Sequence, residues 1–149
     1  MSTPTNLRDQ LLRDEAKRCW LYDDATGERL PPLASGGHRS VGIGRNVDAV
    51  PFRDSEIVLM LDNDIADRCA ALSAFYWYNG LDGIRQATIV NMSFNLGLHG
   101  LLNFPRMIAA LIAKDWATAA KECDDPHWHA DVGDRATRCA QQVLTGVWV

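Results

Sequence analysis

No apolar run in this sequence approaches the ~18–20 residues needed to cross a bilayer. The segment Met1 to Lys17 is polar and charged, without the apolar stretch of a secretory signal. The chain is therefore expected to start in the cytosol with no membrane anchor. It also lacks an excess of positive charge. Its 15 basic and 19 acidic side chains leave a net charge of −4, which excludes a global attraction to nucleic acid. An anionic polymer would have to be held by local contacts. The four cysteines, Cys19, Cys69, Cys123 and Cys139, form no Cys-x-x-Cys pair. In a reducing compartment they read as buried thiols rather than a disulfide framework. Gly42-x-Gly44 lacks the third glycine and the βαβ setting of a dinucleotide fingerprint. There is no internal repeat or low-complexity segment.

What remains is an ordinary globular composition, 47% hydrophobic and 23% charged over 149 residues, which suits one domain with its own core. Thr3 or Thr5 can cap a first helix, with Pro4 in its first turn. On a helical wheel Leu7, Leu11 and Leu12 fall at roughly 0°, 40° and 140°, and Glu15 at about 80° lies inside their stripe. A carboxylate on such a face either has a cationic partner or is kept partly protonated by desolvation. Arg18 and Arg8 are the nearby candidates for a helix-end ion pair, so both readings stand.

From Trp20 to Val50 the helical period disappears. Asp23, Asp24, Gly27, Pro31, Pro32, Gly36 and Gly37 punctuate the segment, and Arg39 to Gly44 alternates like a short strand. Asp54 or Ser55 then opens a long helix reaching about Ala74, with Ile57, Leu61, Ile65 and Leu72 at helical spacing. The cluster Phe75-Tyr76-Trp77-Tyr78 suits core or lobe packing. Further helices are expected over Asp82–Leu96, from Asn103 or Phe104 to Ala113, from Asp115 to about Cys123, and from Gly133 to about Leu144. The expected class is α+β, mainly α: a small β-hairpin lobe (about 15–53), a connecting helix (about 54–74), and a larger helical lobe (75–149). The N-terminal helix (5–15) joins that larger lobe.

Cleavage of a glycosidic bond needs a carboxylic acid to protonate the leaving oxygen and an ionised carboxylate on the opposite sugar face. Glu15 on an apolar face suits the first role, and Asp24 in a polar turn suits the second. Eight residues separate them. Cys123-x3-His127-x-His129 does not match structural-zinc spacing and has no second local pair, with His38 far off, so no metal is expected. His127 and His129 are better read as packed around Trp128, and His99 as a surface turn residue. Ser93, His99 and Asp82 lack a nucleophile-elbow setting.

Taken together, the motifs resemble the phage-type lysozymes of glycoside hydrolase family 24, the endolysins related to T-even phage lysozyme. Arg13-Asp14-Glu15 followed by Tyr22-Asp23-Asp24 is similar to the family's helix-end Glu and spaced Asp. Ser40-Val41-Gly42-Ile43-Gly44-Arg45-Asn46 is similar to its glycine-punctuated strand, and Leu61-Asp62-Asn63-Asp64-Ile65 to its connecting helix. Asn91-Met92-Ser93-Phe94-Asn95-Leu96-Gly97 follows, then Trp116 to Ala120 and Trp128 to Ala136, in the family's order.

The resemblance implies a single two-lobed lysozyme-like catalytic domain. It also implies an inverting muramidase that hydrolyses the β-1,4 bond between N-acetylmuramic acid and N-acetylglucosamine in peptidoglycan. Glu15 would be the general acid. Asp24 would activate water, with Ser40 at the family's Thr position helping to hold it. Asn46, Phe94 and Asn95 match cleft-lining positions, and Arg135 matches the arginine that pairs with the catalytic Glu. No cofactor is implied. The expected partner is the peptidoglycan glycan strand, reached by a monomer from the host cytoplasm after permeabilisation of the membrane by a holin. Three features depart from the pattern. Fifteen residues separate Asp24 from Ser40, making Glu28 to His38 an insertion. Ser replaces Thr, losing the methyl that restricts χ1. Asp23 stands beside Asp24 as a rival for the base.

Overall fold

The computed structural model describes residues 5–149, which form eight helices and one antiparallel strand pair. Thr3 and Pro4, proposed as helix-start residues, lie outside the described residues. Thr5 does not cap the first helix: Asn6 does, its side chain accepting the Asp9 amide at 2.9 Å. The helices are α1 (Leu7–Asp14), α2 (Asp54–Ser73), α3 (Tyr76–Asn79), α4 (Gly83–Leu102), α5 (Pro105–Ala113), α6 (Trp116–Cys123), α7 (Pro126–Val132) and α8 (Asp134–Thr145). The strands are β1 (Ser40–Val41) and β2 (Arg45–Asn46). Two compact units share this chain. One comprises the residues up to Glu15 with Asp64–Val149; the other is Ala16–Asn63.

The first unit is helical and has the apolar core. Ile89, Val90 and Met92 of α4, Met107 and Leu111 of α5, Ala119 and Cys123 of α6, Trp128 of α7, and Cys139 and Val143 of α8 are buried together. Several of its helix starts are chemically marked. Asp82 accepts the Ile84 and Arg85 amides, Asp115 the Thr118 amide, and Asp125 the His127 and Trp128 amides. Pro105 and Pro126 occupy first-turn positions, where a missing N–H costs nothing. Helix α7 is an addition to the expected elements. At seven residues it is too short to show a period, and its cue was the Asp125-Pro126 start.

Helix α4 runs beyond the expected end at Leu96, but Gly97 breaks its geometry with φ 65° and ψ 170°. That region is essentially restricted to glycine. His99 consequently sits within the helical span rather than in a turn. No single helix among the described residues is long and apolar enough to cross a membrane.

The second unit has one buried apolar side chain among its described residues, Val47. A segment this short buries little surface, and polar clamps take over. Strands β1 and β2 pair Ser40 with Asn46 and Val41 with Arg45 around a Gly42-Ile43-Gly44 turn. The expected single strand from Arg39 to Gly44 is therefore itself a hairpin, because Gly42 (φ 58°) and Gly44 (φ 74°) turn the chain. A second ladder joins Leu21 to Leu30, Tyr22 to Arg29 and Asp23 to Glu28. Asp48 ties the insertion down. Its carboxylate receives the Arg39 amide at 2.7 Å and the Arg39 guanidinium at 2.5 Å, and its carbonyl accepts from Arg29. Arg39 also reaches the Pro31 carbonyl, and Arg29 stacks on Trp20 at 3.5 Å. Led by the Arg39 amide, the hydrogen bonds from Arg39 and the charges of Arg39 and His38 hold the Asp48 carboxyl below its ordinary range.

All four cysteines are free. Cys123 and Cys139 are buried as expected, but Cys69 is only half-buried and Cys19 is exposed, a correction that follows from the thin core around Cys19. Burial pushes the Cys139 thiol up to about 12 and the Cys123 thiol well above its usual value, so both stay protonated and unreactive.

Gly97→Ala should lower stability by about 1–3 kcal/mol, the conformational cost of holding a side chain at this φ/ψ. No atom lies within 4 Å of the added Cβ, so steric clash does not contribute. A urea midpoint unchanged from the parent would refute this account of the break in α4.

Candidate active site

Glu15 closes α1 as its C-cap residue, its amide donating to the Leu11 carbonyl at 2.8 Å. Its side chain is 44% exposed, whereas that of Asp14 is 0% exposed. The expectation of a Glu15 carboxylate on the buried face is thus corrected. Gln10, Asp14, Leu7 and Leu11 fall within about 100° of one another on the helical wheel, and that arc is the face turned inward. Counting Leu12 drew the stripe toward Glu15, which lies at its rim. The next residue, Ala16, takes a left-handed φ of 54°, unusual for a residue with a Cβ, and the helix stops there.

The cation that meets Glu15 is Arg135, with Nη2 2.7 Å from Oε1. It displaces Arg18 from the ion-pair role; Arg18 lies instead 5.8 Å from the Tyr22 ring centroid. Arg135 is 7% exposed and doubly anchored, donating through Nε to Asn91 Oδ1 at 2.9 Å and through Nη2 to the Asn91 carbonyl at 3.0 Å. Asn91 in turn donates to Asp14 Oδ2 at 3.1 Å, and Arg13 and Arg138 reach Asp14 Oδ1 at 3.0 and 2.9 Å. One turn earlier on α1, Gln10 donates to Gln142 at 2.6 Å, and Gln142 reaches Thr88 at 3.3 Å.

The spacing of these residues is helical on all three elements. Gln10 and Asp14 lie four apart on α1, and Thr88 and Asn91 three apart on α4. Arg135, Arg138 and Gln142 recur on α8 at i, i+3 and i+7. One polar ladder therefore runs along α1, α4 and α8 and ends at the Glu15 carboxylate. Asp14, Asn91 and Arg138 were not singled out as site residues. Their signal was present as polar residues at helical spacing on otherwise apolar faces.

Phe94 and Asn95 lie on the same helix as Asn91. Asn95 accepts the Trp128 indole N–H at 2.9 Å, and the Phe94 ring lies under Arg68, 4.7 Å from its guanidinium carbon. Trp128 packs edge-on against Phe104. His127 and His129 do not pack around it as expected. His127 is exposed, and His129 Nδ1 lies 2.7 Å from Asp124 Oδ1. Among the described residues no group of three or more His, Cys, Asp or Glu is placed to hold a metal.

In the smaller unit, Asp24 opens the turn at the tip of the ladder that begins at Leu21. Asp23 is occupied there: its Oδ1 accepts the Ala25 amide at 2.8 Å and the Thr26 amide at 3.4 Å. Asp24 is exposed and makes no hydrogen bond or ion pair among the described residues. Ser40 and Asn46 are register partners and share one face of the strand pair. The Asn46 carboxamide oxygen accepts the Asp48 and Ala49 amides, which fixes the side chain.

No protein-family model matches the chain. Individual proteins do. The probable T4-type lysozyme 1 of Dictyostelium discoideum is 26% identical over 95% of both chains. The probable T4-type lysozyme 2 of the same organism is 24% identical over the same shares. The chain is related to the T4-type lysozymes. It also matches the pre-baseplate central spike protein Gp5 of Enterobacteria phage T4, at 25% identity over 95% of this chain and 28% of that protein.

Burial pushes the Asp14 carboxyl up, but hydrogen bonds from Arg13 and Asn91 and the charges of Arg13 and Arg138 outweigh it, so its pKa lies below the ordinary 3.8. A carboxyl lowered by folding contributes stability that is fully present above its unfolded value and lost as pH falls through its folded value. Asp14→Asn should cost about 1–3 kcal/mol near neutral pH. The gap between parent and variant in urea melts should close as pH drops below 3.8. A gap that stays constant down to the acid limit would refute the lowered Asp14.

Proposed function

We propose that this protein is a peptidoglycan muramidase that hydrolyses the β-1,4 bond between N-acetylmuramic acid and N-acetylglucosamine. The relation to proteins named T4-type lysozymes supports a glycosidase. The observation that carries the reading is the 2.7 Å contact between Glu15 and a buried, doubly anchored Arg135. It fixes one carboxyl oxygen and leaves a half-exposed acid facing solvent, where a leaving-group oxygen can be protonated.

In this reading Glu15 is the general acid of an inverting displacement and Asp24 the base that activates water. Asp23 is spent on its turn, which leaves Asp24 as the free carboxylate. Ser40 contributes a hydroxyl toward the water, and Asn46, Phe94 and Asn95 are each residues that contact the glycan strand. Arg135 is a positioning residue. The physiological role is lysis of a bacterial host from within, after a holin has opened the membrane.

A different reading draws on the match to a protein named as a central spike component. A non-catalytic structural module would need neither carboxylate, and a turbidity assay on purified cell walls separates the two. Glu15→Gln should reduce muropeptide release by roughly 10²–10⁴-fold, the usual contribution of a general acid, with the circular dichroism spectrum unchanged. Asp24→Asn should do the same. Release at the parental rate from either variant defeats the assignment of that residue. Mass spectrometry should find hydrated reducing ends; anhydro-muramic ends would make the enzyme a transglycosylase.

A further inference from the structure

With a net charge of −4, the chain can meet an anionic substrate only through particular cations. Most arginines with defined contacts are spent on its own carboxylates. Arg13, Arg135 and Arg138 serve Asp14 and Glu15, Arg39 serves Asp48, Arg45 serves Glu56, Arg85 serves Asp82, and Arg106 serves Glu122. Arg68 is different. It follows Asp64 by four residues on α2, a spacing that favours an acid–base pair along a helix. Yet no carboxylate lies within ion-pair distance of it among the described residues. Its guanidinium instead lies over the Phe94 ring, 4.7 Å from the centroid, and its Nε, like single buried donors of Arg13, Arg45 and Arg138, has no hydrogen-bond partner among the described residues. It lines a groove of about 280 Å³ on the helical unit, together with Asp64, Asp67, Ala71, Ser93 and Leu98.

A merely solvated arginine would extend into water and hydrate all its donors. The Arg68 guanidinium carbon sits 4.7 Å from the Phe94 ring centroid, a cation–π contact that holds the head group at the groove and leaves its terminal N–H groups for a ligand. A planar carboxylate matches that fork through two parallel hydrogen bonds. Asp64 and Asp67 on the same wall weaken the positive potential for any anion, so binding there has to rest on the directional hydrogen bonds of the guanidinium fork. The geometry selects for a carboxylate presented at a fixed place.

Resting on the muramidase reading, we propose that Arg68, oriented by Phe94, is a specificity determinant that binds a carboxylate of the peptidoglycan strand. Such strands carry carboxylates of two kinds: acids of the peptide stems, and the lactyl carboxylate left where a stem has been removed.

Three substrates separate the sources: intact strands, whose acids are in the stems; stem-stripped strands, whose acids are lactyl; and intact strands amidated to remove all carboxylates. Arg68→Gln should raise KM about tenfold on one of the two carboxylate-bearing substrates, as expected for loss of a charge-assisted pair. It should leave kcat within about twofold and KM on amidated strands unchanged. Arg68→Lys should recover part of the loss, and the parental melting temperature should be kept. A penalty confined to intact strands assigns the stem acid, and one confined to stripped strands the lactyl group. An equal penalty on amidated strands, or no penalty on any substrate, overturns the proposal. A parent protein that cleaves none of the three overturns the muramidase reading instead.

Discussion

The Arg135 guanidinium is the group around which the helical unit is arranged. To bury it, the chain must supply acceptors. It does so with Asn91 of α4 and with Glu15 at the end of α1, while the Asp14 carboxylate adds its charge from 4.0 Å. Burying Asp14 alone would be costly, and so would burying Arg135 alone. Together with Asn91, Arg13 and Arg138 they pair most of their charged groups, while Arg13 Nη2 and Arg138 Nε stay without a partner among the described residues. Apolar replacements of such clusters often leave stability unchanged, so the consequence of this one is chiefly geometric. Three helices are held in a single register, and a carboxyl oxygen of Glu15 is fixed at the edge of the core.

The same logic explains the polar ladder as a whole. Gln10, Gln142 and Thr88 bond to one another at one level, and Asp14, Asn91, Arg138 and Arg135 at the next. A slip of one residue along α1 would leave several of these groups buried and unpaired, each at the cost of about 1–3 kcal/mol. An apolar face would tolerate that slip more readily. Precision at Glu15 therefore comes from polar side chains that, on a helical wheel, interrupt otherwise hydrophobic stripes.

The smaller unit solves a different problem. With a single buried apolar side chain, Val47, it relies on short-range clamps centred on Asp48 and on the Arg45–Glu56 pair. Lengthening a loop adds only a small closure entropy. The insertion between Glu28 and His38 is thus accommodated once Arg29 and Arg39 anchor its two ends. Asp23 shows the same economy: its turn-forming hydrogen bonds leave the adjacent Asp24 as the unengaged carboxylate.

By itself the sequence determined the helical class, most helix positions and the glycine-punctuated turns, because period, caps and breakers act over a few residues. The order of its motifs carried the family relation, the choice of Glu15 and Asp24 as carboxylates to examine, and the pairing of Glu15 with Arg135. Tertiary structure decided what lies beyond a helical turn. It turned Asp14 inward and left Glu15 at the rim, because a wheel angle orders residues around one helix but cannot say which arc the neighbours cover. It formed α7 from a segment too short to show a period. It also brought Asn91 and Arg138 to Asp14, since contacts across 77 and 124 residues depend on how helices pack. The chain's local chemistry wrote the elements; mutual satisfaction of buried charge chose which of their faces met.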